Sequence, residues 1–220
     1  MSGERRGRGG RGPGRTVVVT AGPTREPIDP VRFLSNESSG RMGFAIAEAA
    51  VRAGLRVRLV SGPVSLPTPR GVERVDVTTA REMLRATRTA FAGADALFMC
   101  AAVADWRPRR ARATKWRKEE VGEDVATLEL VRNPDILASL AARKGRRLVV
   151  GFALESGDGL ARARAKLERK GADYIVLNGP GALGSERTSV TILGRDGSRR
   201  TLERRTKREV ARALIGLLGR

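Results

Sequence analysis

From residue 16 onward the chain alternates between two kinds of segment, and this alternation limits the folds open to it. Short apolar runs, of which TVVVT at residues 16–20 is the first, are typical of buried strands, and amphipathic segments separate them. Strands are predicted over residues 16–20, 56–61, 73–77, 94–100, 126–131, 148–154 and 173–178, with a hairpin over 190–193 and 200–202. Helices are predicted over residues 41–53, from a cap at Thr78 or Thr79 to residue 92, from an N-cap at Asn133 onward, and over 160–170 and 206–218. This order predicts an α/β fold, a three-layer Rossmann-like sandwich with a mainly parallel sheet and a C-terminal hairpin.

Length and composition favour one globular domain over residues 16–220. The chain has 220 residues, of which 40% are hydrophobic and 30% charged, and this supports an ordinary core. No apolar run is long enough to span a membrane and the N-terminus lacks the apolar core of a signal peptide, so we expect a cytoplasmic protein. The single cysteine, Cys100, is expected to be a buried small hydrophobe, and no disulfide framework is possible.

Histidine is absent from the sequence, and its absence narrows the possible chemistry. Mechanisms of the Ser-His-Asp or Cys-His type are excluded, as is any metal site built on histidine. An enzyme of this composition works with lysine, arginine, carboxylates, backbone amides and a hard cation such as Mg²⁺.

The chain is strongly basic, with 43 Lys and Arg against 24 Asp and Glu and a formal net charge of +19. Such a charge attracts nucleic acid nonspecifically at low salt. Residues 1–15 form a Gly/Arg-rich tail that is predicted to be disordered and could touch RNA weakly. Aromatic residues make up only 4% of the chain, too few for the usual single-strand stacking platform, so charge alone does not define the function.

The loop at residues 22–43 points most directly to a ligand. Strand-to-helix loops in α/β units commonly take about two to six residues, and this one is far longer and rich in polar side chains. It follows the first strand, and open α/β sheets bind ligands at the carboxyl ends of their strands. Ser39, Gly40 and Gly43 open the first helix, where small residues let a phosphate approach the backbone amides. An ordinary helix start and a disordered insertion remain the alternatives.

Later strands also end in polar residues. Asp105 follows the fourth strand, where it could hold a cation or belong to an ordinary turn. The run KWRK at residues 115–118 suits a polyphosphate, although a solvated charge run would have the same composition. Further candidates follow along the chain: Asn133, Asp135, Phe152, Glu155, Lys166, Lys170 and Asn178. Together these positions predict a nucleotide or another phosphorylated ligand along one sheet edge. Lys166, Lys170 and Asn178 could equally be ordinary surface residues.

These segments, in this order, resemble the phosphopantothenate–cysteine ligase family of coenzyme A biosynthesis. The resemblance spans residues 16–218 and rests on seven motifs: TREPIDPVRFLSN at 24–36, SSGRMG at 38–43, AAVAD at 101–105, KWRK at 115–118, NPDI at 133–136, GFALE at 151–155 and DYIVLN at 173–178. Residues 179–189 match the family loosely, which weakens any assignment after Asn178.

The resemblance implies a two-step ligase reaction. The carboxylate of 4′-phosphopantothenate attacks the α-phosphate of a nucleoside triphosphate, pyrophosphate leaves, and the amino group of L-cysteine then displaces the nucleoside monophosphate. Bacterial-type motifs favour CTP over ATP, with Mg²⁺ or Mn²⁺ to neutralise the phosphates. The family also implies a homodimer. A flavin-dependent decarboxylase that many bacteria fuse to this ligase is missing from the chain and is a possible separate partner.

The resemblance also implies roles for individual residues. Lys118 matches the essential lysine of the family, Asn36 an asparagine at the reacting acyl group, and Arg32 lies in the same motif as Asn36. Asp105 is the implied metal ligand. Strand ends, the helix start and the resemblance together give the predicted nucleotide-binding residues: Ser39, Gly40, Gly43, Ala104, Asp105, Lys115, Lys118, Asn133, Asp135, Phe152, Lys166 and Lys170.

Two other functions are compatible with an α/β fold and a basic chain. A nicotinamide-dependent oxidoreductase would carry a Gly-rich turn directly after the first strand and an acidic residue after the second, and neither occurs. A nucleic-acid-binding protein would use the basic tail and the net charge of +19.

Overall fold

We describe a computed structural model of the chain, which covers residues 14–117, 125–155, 158–179, 185 and 187–219. Most of the predicted tail, residues 1–13, lies outside the described residues, and so does Lys118. None of the helices in these ranges combines the length and apolar character needed to cross a membrane.

Twelve strands and five α-helices occupy these ranges. The strands are β1 (Thr16–Ala21), β2 (Arg25–Pro27), β3 (Phe33–Ser35), β4 (Arg56–Ser61), β5 (Val72–Asp76), β6 (Ala96–Met99), β7 (Trp106–Pro108), β8 (Leu130–Arg132), β9 (Leu148–Leu154), β10 (Tyr174–Asn178), β11 (Arg187–Gly194) and β12 (Arg199–Thr206). The helices are α1 (Arg41–Arg52), α2 (Ala80–Phe91), α3 (Ile136–Ala141), α4 (Gly159–Lys170) and α5 (Lys207–Ile215), and a 3₁₀ turn follows at Gly216–Gly219.

Eight of the strands form one central sheet in the order β12-β11-β10-β9-β6-β1-β4-β5. The six strands from β10 to β5 pair in parallel, and the hairpin of β11 and β12 adds antiparallel pairs at one edge. All six residues of β1 are buried, as a strand covered on both faces should be. The predicted fold class is therefore confirmed.

Helices cover both faces of the sheet. Val17 and Val19 of β1 belong to a core cluster with residues of α1 and α5, such as Phe44 and Leu214. Val18 points to the opposite cluster, which contains side chains from α2, α3 and α4. Because alternate residues of a strand face opposite sides, one apolar strand serves both cores. Three layers result.

Side-chain caps set where several helices begin. Thr79 and Glu82 form a capping box at the start of α2, and Thr206 and Glu209 do the same for α5. The predicted N-cap of α3 at Asn133 is wrong, because the Asp135 carboxylate caps the helix by accepting from the Ala138 amide at 3.0 Å.

Two further expectations need correction. The strand predicted over residues 126–131 is wrong in position and sheet, because Leu130–Arg132 forms a ribbon with β7 outside the central sheet. Its residues are mostly exposed, so it lacks the continuous burial of a core strand. The C-terminal helix ends at Ile215 and tightens into the 3₁₀ turn, short of the predicted residue 218. The long loop at 22–43 also contains a small hairpin, β2 and β3.

Gly43 allows α1 to pack closely against β1. A Cβ atom built at this position would lie 2.5 Å from the Cβ of Ala21 and 2.9 Å from the carbonyl oxygen of Thr20. Both neighbours belong to the central strand, so the helix would have to move away from the sheet to admit a methyl group.

We therefore expect Gly43→Ala to destabilise the fold by about 1–3 kcal/mol, the usual range for overpacking a core. Denaturant unfolding measures this loss. Gly93→Ala is the matched control because a Cβ there meets no atom within 4 Å. An unchanged midpoint for Gly43→Ala would show that α1 does not press on β1 as described.

Candidate active site at the sheet edge

The candidate site lies where the chain reverses its direction of travel across the sheet. After β1 the chain builds β4 and β5 on one side, and it then crosses to β6 and the strands beyond on the other. The carboxyl ends of β1 and β6 therefore diverge into separate loops, and in open α/β sheets such a switch point forms the ligand crevice.

Hydrogen bonds continue the pairing of β1 and β6 past the ends of the strands. The Ala102 amide donates to the Gly22 carbonyl at 2.9 Å, and the Thr24 amide donates to the Ala102 carbonyl at 3.1 Å. The buried Thr24 hydroxyl accepts from the Ala104 amide at 3.0 Å. These bonds fix the loops after the two strands against each other and form the floor of the crevice.

Two cavities open above this floor. We call the first, of about 470 Å³, the Asn133 lobe, and the second, of about 580 Å³, the Gly40 lobe. Both are lined by Ala101, Val103, Asp105, Phe152 and Lys166, so they lie side by side at the same sheet edge. Seven of the predicted nucleotide-binding residues line the Asn133 lobe: Ala104, Asp105, Asn133, Asp135, Phe152, Lys166 and Lys170. The Gly40 lobe adds the predicted residues Asn36, Ser39, Gly40 and Gly43.

Asn133 fastens the wall of its lobe to the end of β6. Its side-chain amide donates to the Ala104 carbonyl at 2.8 Å, its backbone amide donates to the Asp105 carbonyl at 2.8 Å, and its side-chain oxygen accepts from Arg107 at 3.2 Å. The side chain thus shapes the lobe through its hydrogen bonds to the protein.

Charges on α3 and α4 meet at the back of the Asn133 lobe. Lys170 forms an ion pair with Asp135. Burial acts to raise the pKa of the Asp135 carboxyl, but the hydrogen bonds from Lys170 and Ala138 outweigh it and hold this pKa below its usual value. Asp135 is therefore ionised at neutral pH.

Lys166 lies at the junction of the two lobes, where its ammonium donates to the Phe152 carbonyl at 2.8 Å. Burial lowers its pKa, and the charge of Lys170 lowers it further. A partly desolvated ammonium with one protein acceptor is suited to bind an anion such as phosphate.

The amino end of α1 opens into the Gly40 lobe. Gly40 takes the N-cap position with φ of 73°, no side chain caps the helix there, and its first turn has no acidic residue. The amino end of the helix therefore retains its positive partial charge toward the lobe, as expected for a phosphate site.

Asn36 and Asp105 stand at the edge of the crevice. Asn36 is exposed and its side-chain amide donates to the Ala102 carbonyl at 3.1 Å. Asp105 is exposed and borders both lobes. In the described part of the chain, no group of three Asp, Glu or Cys residues could hold a metal. A divalent cation at Asp105 would need phosphate oxygens and water as its further ligands, which is the usual arrangement for Mg²⁺.

Two predicted residues line neither lobe. Arg32 forms an ion pair with Asp29 and donates to the Trp116 carbonyl at 2.5 Å. Lys115 is exposed on the same segment as Trp116. Their predicted roles stay predictions, as does that of Lys118, which lies outside the described residues.

The structure adds residues that sequence reasoning missed. Lys207, at the start of α5, lines the Gly40 lobe together with Arg41 and Thr188. Burial lowers the pKa of the Lys207 ammonium, and the nearby Arg41 lowers it further. No sequence motif marks this lysine, because its place in the site depends on how α5 packs beside α1 in the folded chain. Cys100 is half-buried in the same lobe, and burial raises the pKa of its thiol to about 12.

We expect Lys166→Met to weaken binding of a nucleoside triphosphate by about tenfold or more, because a charge-assisted hydrogen bond contributes about 1.5–3 kcal/mol. Isothermal titration calorimetry measures the dissociation constant. Arg164→Met is the control, because it removes an exposed cation of the same helix that lines neither lobe. This variant should leave the dissociation constant nearly unchanged. Equal losses in the two variants would mean that Lys166 acts only through the overall charge.

The chain is similar to known proteins along most of its length. A bifunctional coenzyme A biosynthesis protein of Escherichia coli strain K12, CoaBC, is 52% identical over 163 residues, which is 74% of this chain and 40% of that protein. The crystal structure of a CoaBC C-terminal domain has a TM-score of 0.80 at 40% identity and covers 93% of this chain and 94% of that one. The chain spans about half the length of the curated relatives it matches.

A more distant likeness concerns the fold alone. A Cab2 mutant in complex with phosphopantothenate-cysteine has a TM-score of 0.73 at 16% identity, covering 93% of this chain and 86% of that one. These matches support neither an oxidoreductase nor a nucleic-acid-binding protein.

The family model for the DNA/pantothenate metabolism flavoprotein C-terminal domain matches residues 13–219, almost the whole chain. The resemblance seen in the sequence motifs is confirmed, and the chain belongs to the family of the DNA/pantothenate metabolism flavoprotein C-terminal domain.

Proposed function

We propose that the chain is a phosphopantothenate–cysteine ligase that joins 4′-phosphopantothenate to L-cysteine through an acyl-nucleotide. One observation carries the proposal. A single crevice brings the amide of Asn36, the open amino end of α1 and the ammonium of Lys166 to one sheet edge. The similarity to the bifunctional coenzyme A biosynthesis protein of E. coli, and the phosphopantothenate-cysteine bound to the Cab2 mutant, support this choice of substrates.

The two lobes suggest where each substrate lies. The nucleoside fits the Asn133 lobe beside Phe152, and the triphosphate extends past Lys166 toward the amino end of α1. The acid then enters from the side of Asn36, with its carboxylate near the α-phosphate. Such an arrangement holds the two reacting groups in line, which is the main requirement for transfer to a phosphate.

The chemistry follows in two balanced steps. A carboxylate oxygen of phosphopantothenate attacks the α-phosphorus. The bond from this phosphorus to the oxygen that bridges the α- and β-phosphates breaks, and pyrophosphate leaves with that oxygen. The amino group of cysteine then attacks the acyl carbon, the bond from this carbon to the bridging oxygen breaks, and the nucleoside monophosphate leaves while the amine loses a proton. The Asn36 amide can donate to the acyl oxygen as negative charge develops there.

Asp105 would hold a divalent cation, Mg²⁺ or Mn²⁺, together with the phosphates. When bound, such a cation neutralises phosphate charge and stabilises the leaving pyrophosphate. Lys166 and the amino end of α1 contribute positive charge at the same place. We assign Lys118 and Lys115 to the departing phosphates on the strength of the family motif.

We further propose CTP as the co-substrate, a cytoplasmic homodimer as the working form, and a separate decarboxylase as the partner that uses the product. Bacterial-type motifs favour CTP. The basic tail is proposed to give only weak, nonspecific contact with nucleic acid, because its charge has no aromatic partners.

Pyrophosphate release tests the proposed function. The purified chain with CTP, phosphopantothenate and Mg²⁺ should release pyrophosphate, and cysteine should raise the amount to many turnovers. ATP in place of CTP tests the choice of base. If neither nucleotide yields pyrophosphate, the chain is not this ligase.

We expect Asn36→Ala to lower the multiple-turnover kcat for pyrophosphate release in the presence of cysteine by about 10²-fold, which is typical for the loss of one donor to an oxyanion that develops in the second step. Its melting temperature should stay close to that of the wild type, because Asn36 is exposed and outside the two core clusters. A wild-type rate would remove Asn36 from the reacting centre.

A further inference from the structure

Asp29 is a buried carboxylate in a surface loop, and the proposed reaction does not use it directly. It lies between β2 and β3, at the tip of the small hairpin, and its side chain is 0% exposed. A buried charge is costly unless hydrogen bonds satisfy it, so the partners of this carboxylate show what it does in the fold.

The hydrogen bonds of Asp29 reach two separate parts of the chain. One carboxylate oxygen accepts from the amides of Val31 and Arg32 at 2.9 and 2.8 Å. The other accepts from the Arg32 Nε at 2.9 Å and from the Trp116 amide at 3.1 Å. The first set orders the hairpin tip, and the last bond crosses to a segment more than eighty residues away.

Arg32 closes the same connection from the other side. Its guanidinium pairs with Asp29 and donates to the Trp116 carbonyl at 2.5 Å, so Asp29 and Arg32 together hold both polar groups of one peptide residue. The Arg112 amide adds a bond to the Ile28 carbonyl at 2.8 Å. Residues 112–117 are thereby attached to the hairpin at both of their ends.

The hairpin itself is firmly attached to the body of the protein. The Arg25 amide donates to the Thr78 carbonyl at 2.8 Å, and the buried Glu26 carboxylate accepts from the Ala80 amide at 2.9 Å. Asn36 follows directly after the hairpin and borders the crevice. The tip of the hairpin therefore holds the segment that carries Lys115, while its base carries Asn36.

We propose that Asp29 is a positioning residue of the ligase. Its carboxylate joins the Arg32 guanidinium and the Trp116 main chain into one unit, so the loop that bears Asn36 and the segment that leads into the KWRK lysines keep a fixed relation. This proposal rests on the proposed function. The hydrogen bond from Arg32 also holds the pKa of Asp29 well below its usual range, which keeps the carboxylate ionised at neutral pH.

Asp29→Asn tests the proposal because it keeps the size of the side chain and removes the charge. We expect kcat/KM for pyrophosphate release to fall by about tenfold or more, since small misplacements of reacting groups are costly. We expect the melting temperature to move by only a few degrees.

A second measurement does not depend on activity. Amide hydrogen exchange at Trp116 should become faster in Asp29→Asn, because the bond that protects this amide is weakened. Asp76→Asn is the matched control, as Asp76 is an exposed carboxylate that also pairs with an arginine and lies outside both lobes. It should change neither the rate nor the exchange.

The outcomes separate the two proposals. Faster exchange at Trp116 with a lost rate supports the positioning role, whereas unchanged exchange, or an unchanged kcat/KM, overturns it. A wild-type chain that never releases pyrophosphate overturns the proposed function instead. If Asp29→Asn fails to fold, Trp116→Pro takes its place, with Trp116→Ala as its control, because proline lacks the N–H that alanine keeps and also fixes the backbone φ. The proline variant should lose more activity than the alanine variant, and equal rates would overturn the role.

Discussion

The candidate site depends on the pairing of two loops beyond the ends of their strands. The bonds from Ala102 to Gly22 and from Thr24 to Ala102 extend the ladder of β1 and β6 after the strands themselves have stopped. Without them the loops would separate at the switch point, and the crevice would have no floor. A single residue, Ala102, also accepts from the Asn36 side chain, so the floor and the proposed reacting group share one anchor.

The long loop after β1 combines three structural features. A hairpin, β2 and β3, stands away from the sheet and is tied to α2 through Glu26. The exposed Asn36 follows, and the chain then turns at Gly40 into the uncapped start of α1. A loop of only a few residues could not contain these three features. The length of the loop therefore reflects its content of structure and binding groups.

Much of this could be predicted from the sequence because it is local. The buried run of β1, the amphipathic helices and the Thr-x-x-Glu cap of α2 each leave a pattern within a few residues. The lining of the crevice followed from strand ends, because parallel strands bring their carboxyl ends to one edge.

Other features depend on contacts between distant residues and leave no such pattern. The ribbon of β7 and β8 joins segments more than twenty residues apart, with three residues in each strand. Asn133 looks like a helix cap, but its side chain bonds to Ala104, and Asp135 caps the helix in its place. The bond from Trp116 to Asp29 is equally nonlocal, so its importance appears only when the chain is folded.

The most direct test of a ligase that works through an acyl-nucleotide follows one oxygen atom. Phosphopantothenate labelled with ¹⁸O in its carboxylate is incubated with the chain, CTP, Mg²⁺ and cysteine, and the products are analysed by mass spectrometry. We expect one labelled oxygen in the phosphate of CMP, because the attacking carboxylate oxygen stays on phosphorus when the amide forms. Unlabelled CMP, or label in orthophosphate, would contradict an acyl-nucleotide mechanism.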